Sequence, residues 1–109
     1  MTSRDAQLVA ELAEYLGWGL VAYVTGANSA ESVREWAKGA AVPPAMLMRV
    51  KIAHVTMTHA SGVSDRRTAL TWFVGLNPRL MDRSIATMIR EGIVAEEGEI
   101  ERWADDDLG

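Results

Sequence analysis

The 109-residue sequence contains no cysteine. Disulfide staples, thiolate nucleophiles and cysteine-ligated metals are therefore excluded, and the usage suits a reducing compartment. Histidine is nearly as scarce. The two copies, His54 and His59, stand five apart, about 140° around a helix, and do not aim at one metal ion. The i, i+4 spacing and the glutamate of a zinc-binding helix are both missing. His54 reads as a boundary residue on an apolar stripe, and His59 as a helix-end residue. The glycines form neither a dinucleotide fingerprint nor a phosphate loop. No apolar run approaches the ~20 residues of a membrane span, and the N-terminus, MTSRDAQL, lacks a signal-peptide pattern. No stretch alternates as a half-buried strand would, which points to an all-α fold. These absences predict a cytoplasmic chain without metal, cofactor or membrane.

Charge is present but unevenly placed. The net charge is −4, divided as −2 over residues 1–42, +3 over 43–75 and −5 over 76–109. A dedicated DNA binder usually shows a basic face. Here the cations gather in the middle and the acids at the end. Glu96, Glu97, Glu99, Glu101 and Asp105 to Asp107 outnumber a catalytic pair and lie in a segment that reads as solvated. Paired catalytic carboxylates need a cleft that perturbs them, and an enzyme is not expected.

The most organised stretch is LVAYVTGANSAESVREWAKG, residues 20–39. It reads as helix, turn, helix, stop. Gly26 supplies the turn. Asn28 is placed to cap the second helix, with Glu31 completing a capping box. Val33, Trp36 and Ala37 share one face, and Gly39 ends the helix. That is the pattern of a helix-turn-helix unit. An earlier helix over 2–16 carries Leu8, Leu12, Tyr15 and Leu16 on one stripe, and Gly17-Trp18-Gly19 breaks it, with Trp18 as a core anchor. Pro44 opens a long helix with Leu47, Val50, His54 and Met57 aligned, while Arg49 and Lys51 project elsewhere. Ser61-Gly62-Val63-Ser64 reads as a loop and a subdomain boundary. Ser64 then caps a helix to Val74, and Asn77-Pro78 starts a short turn. Ser84 caps a helix from Ile85 to Glu91, ended by Gly92. Beyond lies the acidic tail, with Ile93, Val94, Ile100 and Trp103 as its apolar anchors.

Two blocks of this chain resemble the Xre/MbcA/ParS-type antitoxins that pair with RES-domain toxins. The first is LVAYVTGANSAESVREWAKG, similar to that family's degenerate helix-turn-helix. The second is TWFVGLNPRLMDRSIATMIREG, similar to its C-terminal toxin-binding signature of W-F, N-P-x-L and a short helix ending in glycine. Together they cover about three-quarters of the chain, from Leu16 to Gly92. Ser84-Ile85 stands where the family usually has Ser-Pro. The recognition helix is poor in cations for reading bases, because Glu31 and Glu35 flank Arg34 and Lys38.

The resemblance implies a cytoplasmic type II antitoxin, a homodimer, that occludes a RES-domain toxin degrading NAD and regulates its own operon. The expected organisation is a helix-turn-helix subdomain over 1–60, a helical toxin-binding subdomain over 61–92 and an acidic tail over 93–109. Trp72, Phe73, Leu76, Asn77, Leu80, Met81 and Trp103 are the expected toxin contacts. Aromatic and methionine side chains crowded into a short region are favoured interface anchors. If operator DNA is read, Asn28, Ser29, Ser32, Arg34 and Lys38 occupy the start and outer face of the recognition helix. The alternative reading is a stand-alone Xre-type transcriptional regulator with no toxin partner.

Overall fold

The computed structural model describes residues 3–92 and 98–109. Among the described residues there are seven α-helices, a 3-10 turn and no strand. The all-α expectation holds.

Helix α1 (Arg4–Leu16) begins where the Ser3 hydroxyl accepts the Ala6 N–H, with Asp5 in the positive first turn. It buries Ala6, Val9, Leu12 and Leu16. Leu8 and Tyr15, expected on that stripe, lie at its half-buried edges. Gly17, at φ 81°, turns the chain sharply into α2 (Trp18–Thr25). Trp18 is only half-buried at this corner, where the Arg34 guanidinium lies 5.8 Å from its ring centroid. Gly26, also left-handed, closes α2. The Gly26 and Ala27 N–H groups both donate to Ala22 O, satisfying carbonyls that a helix end leaves open.

Helix α3 (Ala30–Ala37) is capped by Ser29, not Asn28. The Ser29 hydroxyl accepts the Ser32 N–H, and Glu31 pairs with Arg34 instead of closing a capping box. Adjacent Asn and Ser are both good caps. The choice between them follows from the register that turns Val33 and Trp36 into the core.

Helix α4 (Pro44–Val63) is the central element, and α1, α2, α5, α6 and α7 all pack on it. It buries Val50, Ala53, Thr56, Met57 and Ala60, while Leu47 and His54 sit at the margin. Of the loop expected at Ser61 to Ser64, Ser61 to Val63 are instead the last turn of this helix and Ser64 is its C-cap. A boundary between residues 60 and 61 therefore falls inside a helix. A single small residue such as Gly62 weakens a helix by about 1 kcal/mol, and the packing of Met57 and Ala60 on the core outweighs that. Helix α5 (Arg66–Val74) is capped by Asp65, one residue later than expected. The Asp65 carboxylate accepts the Thr68 N–H at 2.8 Å and the Thr68 hydroxyl at 3.0 Å. The backbone hydrogen bond, then the hydroxyl, holds its carboxyl below the ordinary value.

After Gly75 the chain makes a 3-10 turn over Pro78–Leu80 and enters α6 (Ile85–Arg90), capped by Ser84. Ile93, Val94, Glu96 and Glu97 lie outside the described residues. The end of the chain, α7 (Glu99–Leu108), is an ordered amphipathic helix. The solvated tail expected there is corrected over this range: Ile100 and Ala104 are buried and α7 packs on α4. One apolar cluster runs without interruption from Val9 of α1 to Ala104 of α7.

Two arginines of the basic middle are used structurally. Arg49 donates to Thr25 O at the C-terminal end of α2, and Arg66 donates to Glu14 O of α1. Exposed carbonyls at a helix end favour such cations. Arg90 donates to Tyr23 O and lies 4.7 Å over the Tyr23 ring.

Candidate functional site

Local chemistry shapes the segment between α5 and α6. Asn77 is buried, and its side chain accepts the Arg79 N–H at 3.0 Å. Its backbone pairs with Arg83 in an antiparallel bridge, and its carbonyl accepts the N–H groups of Leu80 and Asp82. The loop is thus cinched around one asparagine. The cinch forces Met81 and Asp82 into the left-handed region, at φ 57° and 64°. Side chains with a Cβ are disfavoured there. Such strain persists only where the surroundings over-determine it, and it concentrates at functional sites.

The strained turn holds Met81 outward, 89% exposed, and Leu76 before it is 76% exposed. Between Leu76 and α7 lies a depression of about 460 Å³. Trp72, Leu76, Pro78, Arg79 and Asp107 are among its walls. The Trp72 indole N–H donates to the Asp107 carboxylate at 2.8 Å, and Arg79 donates to the same carboxylate at 2.7 Å. Asp106 adds a longer contact to Arg79 at 3.8 Å. The tip of α7 is therefore clamped to one wall by charge-assisted hydrogen bonds.

Of the seven expected protein contacts, Leu76 and Met81 are freely presented, and Trp72, Leu80 and Trp103 are half-buried. Phe73 is completely buried and belongs to the core, and Asn77 is consumed by the loop it organises. Neither is available to a partner in this conformation. The correction follows from helical periodicity: Ala69 and Phe73, four apart, face inward together, which turns Trp72 to the rim. Arg79 and Asp107 were not expected at this site. Asp107 was hidden within an acidic run, and nothing near it in sequence marks a contact with a tryptophan 35 residues away.

The α2–α3 hairpin presents the other set of residues. Asn28, Ser29, Arg34 and Lys38 are exposed and Ser32 is half-buried, all at the start or outer side of α3. The geometry brings them together, but their charges are compensated. Arg34 lies 3.3 Å from Glu31, and Lys38 lies 4.0 Å from Glu35. The Ser29 and Ser32 hydroxyls are 3.3 Å apart and occupied with the cap.

The histidines serve contacts between helices. His54 faces Glu11 of α1 at 3.6 Å, and His59 faces Asp105 of α7 at 2.7 Å. Because α4 continues to Val63, His59 is not at its end. Among the described residues no three histidine or carboxylate side chains converge as a metal site would require, and no helix is long and apolar enough to cross a membrane.

Comparison with protein-family models, with curated proteins and with solved structures gives no match. The chemistry of these two surfaces is therefore the basis for function.

Proposed function

We propose that this chain is a cytoplasmic antitoxin of a type II pair, acting by stoichiometric occlusion of a RES-domain toxin that degrades NAD. One observation carries the reading. Two large apolar side chains, Leu76 and Met81, are held almost fully in solvent on a strained, tightly hydrogen-bonded turn. A fold gains nothing for its own core from that arrangement, whereas a rigid, pre-set apolar anchor loses little entropy on binding. Leu76 and Met81 flank the N-P-x-L of the block TWFVGLNPRLMDRSIATMIREG, which resembles the family's toxin-binding signature. No residue of this chain takes part in chemistry. Inhibition comes from covering the partner's site, with Leu76 and Met81 as central anchors and the half-buried Trp72, Leu80 and Trp103 around them. Arg79 adds a polar rim.

The test is direct. The purified chain is titrated into a RES-domain toxin from the same host, and NAD consumption is followed. Inhibition saturating at a fixed stoichiometry is expected. Burying each anchor is worth about 1.5–3 kcal/mol, so Leu76→Asp with Met81→Asp should raise the inhibitory concentration by about 100-fold or more. An unchanged titration curve with the double variant would remove the turn from the interface. Absence of inhibition by the unmodified chain would remove the antitoxin reading.

A second reading is favoured by the exposure of α3, whose outer face is open to a groove of DNA. In it a homodimer binds its operator, or the chain is a stand-alone regulator of the Xre type. The pairing of Arg34 and Lys38 with acids limits the affinity one copy can supply, and two copies presenting two helices would offset that. DNA affinity falling steeply with salt, without any toxin inhibition, is the outcome that selects the regulator.

A further inference from the structure

Helix α4 is apolar on two sides. Its inner stripe is buried in the core. On the opposite side Met48, Ile52 and Val55 recur at i, i+4 and i+7, the spacing of one helix face. They stand open, with Met48 63% and Val55 52% exposed. A surface helix ordinarily turns charged residues to that side. Next to Val55 the surface deepens into a groove of about 600 Å³, walled by Leu8 and Arg4 of α1 and reaching Lys51 and His59. Helix α7 closes the His59 side through Asp105. Val55 lines this groove, and Met48 and Ile52 extend its apolar floor along α4 beyond it, as a trough between α1 and α7.

The rim carries two cations, Arg4 and Lys51, while its two histidines face Glu11 and Asp105. Arg4 and Lys51 hold no ion pair among the described residues, whereas Arg34, Lys38, Arg79 and Arg83 each meet an acid. The molecule already contains an example of what α4 accepts. Helix α7 carries five acids and one arginine, lays Ile100 and Ala104 inward, packs on α4, and sets Asp105 against His59. The neighbouring trough repeats that combination of apolar floor and cationic edge.

We propose that the outer face of α4, between α1 and α7, is a docking trough for an acidic amphipathic helix of a partner protein. Its apolar side chains would lie on Met48, Ile52 and Val55, and its carboxylates would meet Arg4 and Lys51. The floor from Met48 to His59 is about 16 Å long at 1.5 Å per residue, which is three turns of a docked helix. A second copy meeting this same face would oppose Lys51 and Arg4 with their own like charges, which disfavours that occupant. The trough shares no lining residue with the depression beside Leu76, so this inference stands apart from the toxin-binding reading.

The probe is a fluorescein-labelled acidic peptide of about 15 residues, the length at which isolated helices begin to hold. It carries leucines at i, i+4 and i+7 and glutamates on the other face. Binding to the full chain is read by anisotropy, and its location by amide chemical-shift changes. We expect saturable binding that shifts Leu8, Lys51 and Val55. Lys51→Glu should weaken it by roughly tenfold, the effect of placing like charges across an interface, and Val55→Asp should abolish it. Both side chains are exposed, so circular dichroism should show both variants folded. The proposal is overturned by no saturable binding, by equal binding of a lysine-for-glutamate peptide, or by shifts confined to Leu76 and Met81. It is also overturned if sedimentation shows a dimer that Val55→Asp dissociates, which would assign the face to a second copy.

Discussion

Ile100 is the point where the acidic C-terminal helix is held to the core, and Ile100→Ala measures how firmly. The side chain is 6% exposed and belongs to the continuous apolar cluster. The change removes three carbons from an apolar site. At about 0.8 kcal/mol each, the transfer loss is about 2.4 kcal/mol. A cavity contribution adds to this, but a helix packed mainly on α4 can shift inward and fill part of the space. The expected loss is therefore about 3 kcal/mol, in the lower half of the ~2–5 kcal/mol range for such truncations. That is a large share of the ~5–15 kcal/mol by which domains are stable, and it should lower Tm by roughly 12 °C or more. Urea unfolding followed by tryptophan fluorescence is the assay, with Arg102→Ala as an exposed control expected within about 0.5 kcal/mol of the parent. One competing process sets a ceiling. If α7 opens by itself below the global transition, the loss cannot exceed its own docking free energy. Amide exchange separates the two cases, because cooperative packing protects α7 amides to the same degree as those of α4. A loss below about 1 kcal/mol, with unchanged m value and unprotected α7 amides, would refute the assignment of α7 to the core.

Four further outcomes are expected. Gly62→Ala should stabilise the fold by about 0.5–1 kcal/mol, because position 62 is helical and an added Cβ meets nothing within 4 Å; destabilisation in a urea titration would restore a loop there. Met81→Gly should raise stability by about 1 kcal/mol by relieving φ 57°, yet weaken toxin inhibition, and a variant that gained neither stability nor weaker inhibition would remove the strain argument. The Asp65 carboxyl is lowered from its ordinary 3.8 by hydrogen bonds it makes only when folded. Its contribution is therefore complete above that value and is lost as pH falls below it through the lower folded value. Asp65→Asn should keep the cap near neutral pH and flatten that acid-side loss in a series of thermal melts, and an unchanged pH profile would count against it. Glu31→Ala with Glu35→Ala should release Arg34 and Lys38, strengthen DNA binding and steepen its salt slope by up to about two phosphate contacts, while Arg34→Ala with Lys38→Ala should do the reverse. No response in either variant would exclude α3 as the DNA contact.

Several elements were legible because their causes lie within one helical turn. Ser84, Asn77 and Pro78 start their elements where the local pattern places them, and Gly26, Gly39 and Gly92 adopt the positive φ expected of helix ends. Val33 and Trp36 face inward as their spacing requires. The errors also share a cause. At Asn28-Ser29 and Ser64-Asp65 two capping residues are adjacent, and which one caps depends on the register the core imposes on Val33 or on Phe73. Gly62 reads as a breaker until α4 is seen packed along its length.

The sequence by itself determined that this is a helical protein, where most of its helices start and stop, and which short block concentrates apolar anchors. Hydrogen bonds from residue i to i−4, caps and turn glycines act over a few residues, and their signals survive without knowledge of the rest of the chain. Only the tertiary structure decided which of those anchors remain outside. Phe73 went into the core while Leu76 and Met81 were left in solvent. It also decided that the acidic end returns to α4 and that Asp107 meets Trp72 and Arg79. Those outcomes depend on contacts across 28 residues or more, and such contacts are set by where packed helices bring distant side chains together rather than by any local preference.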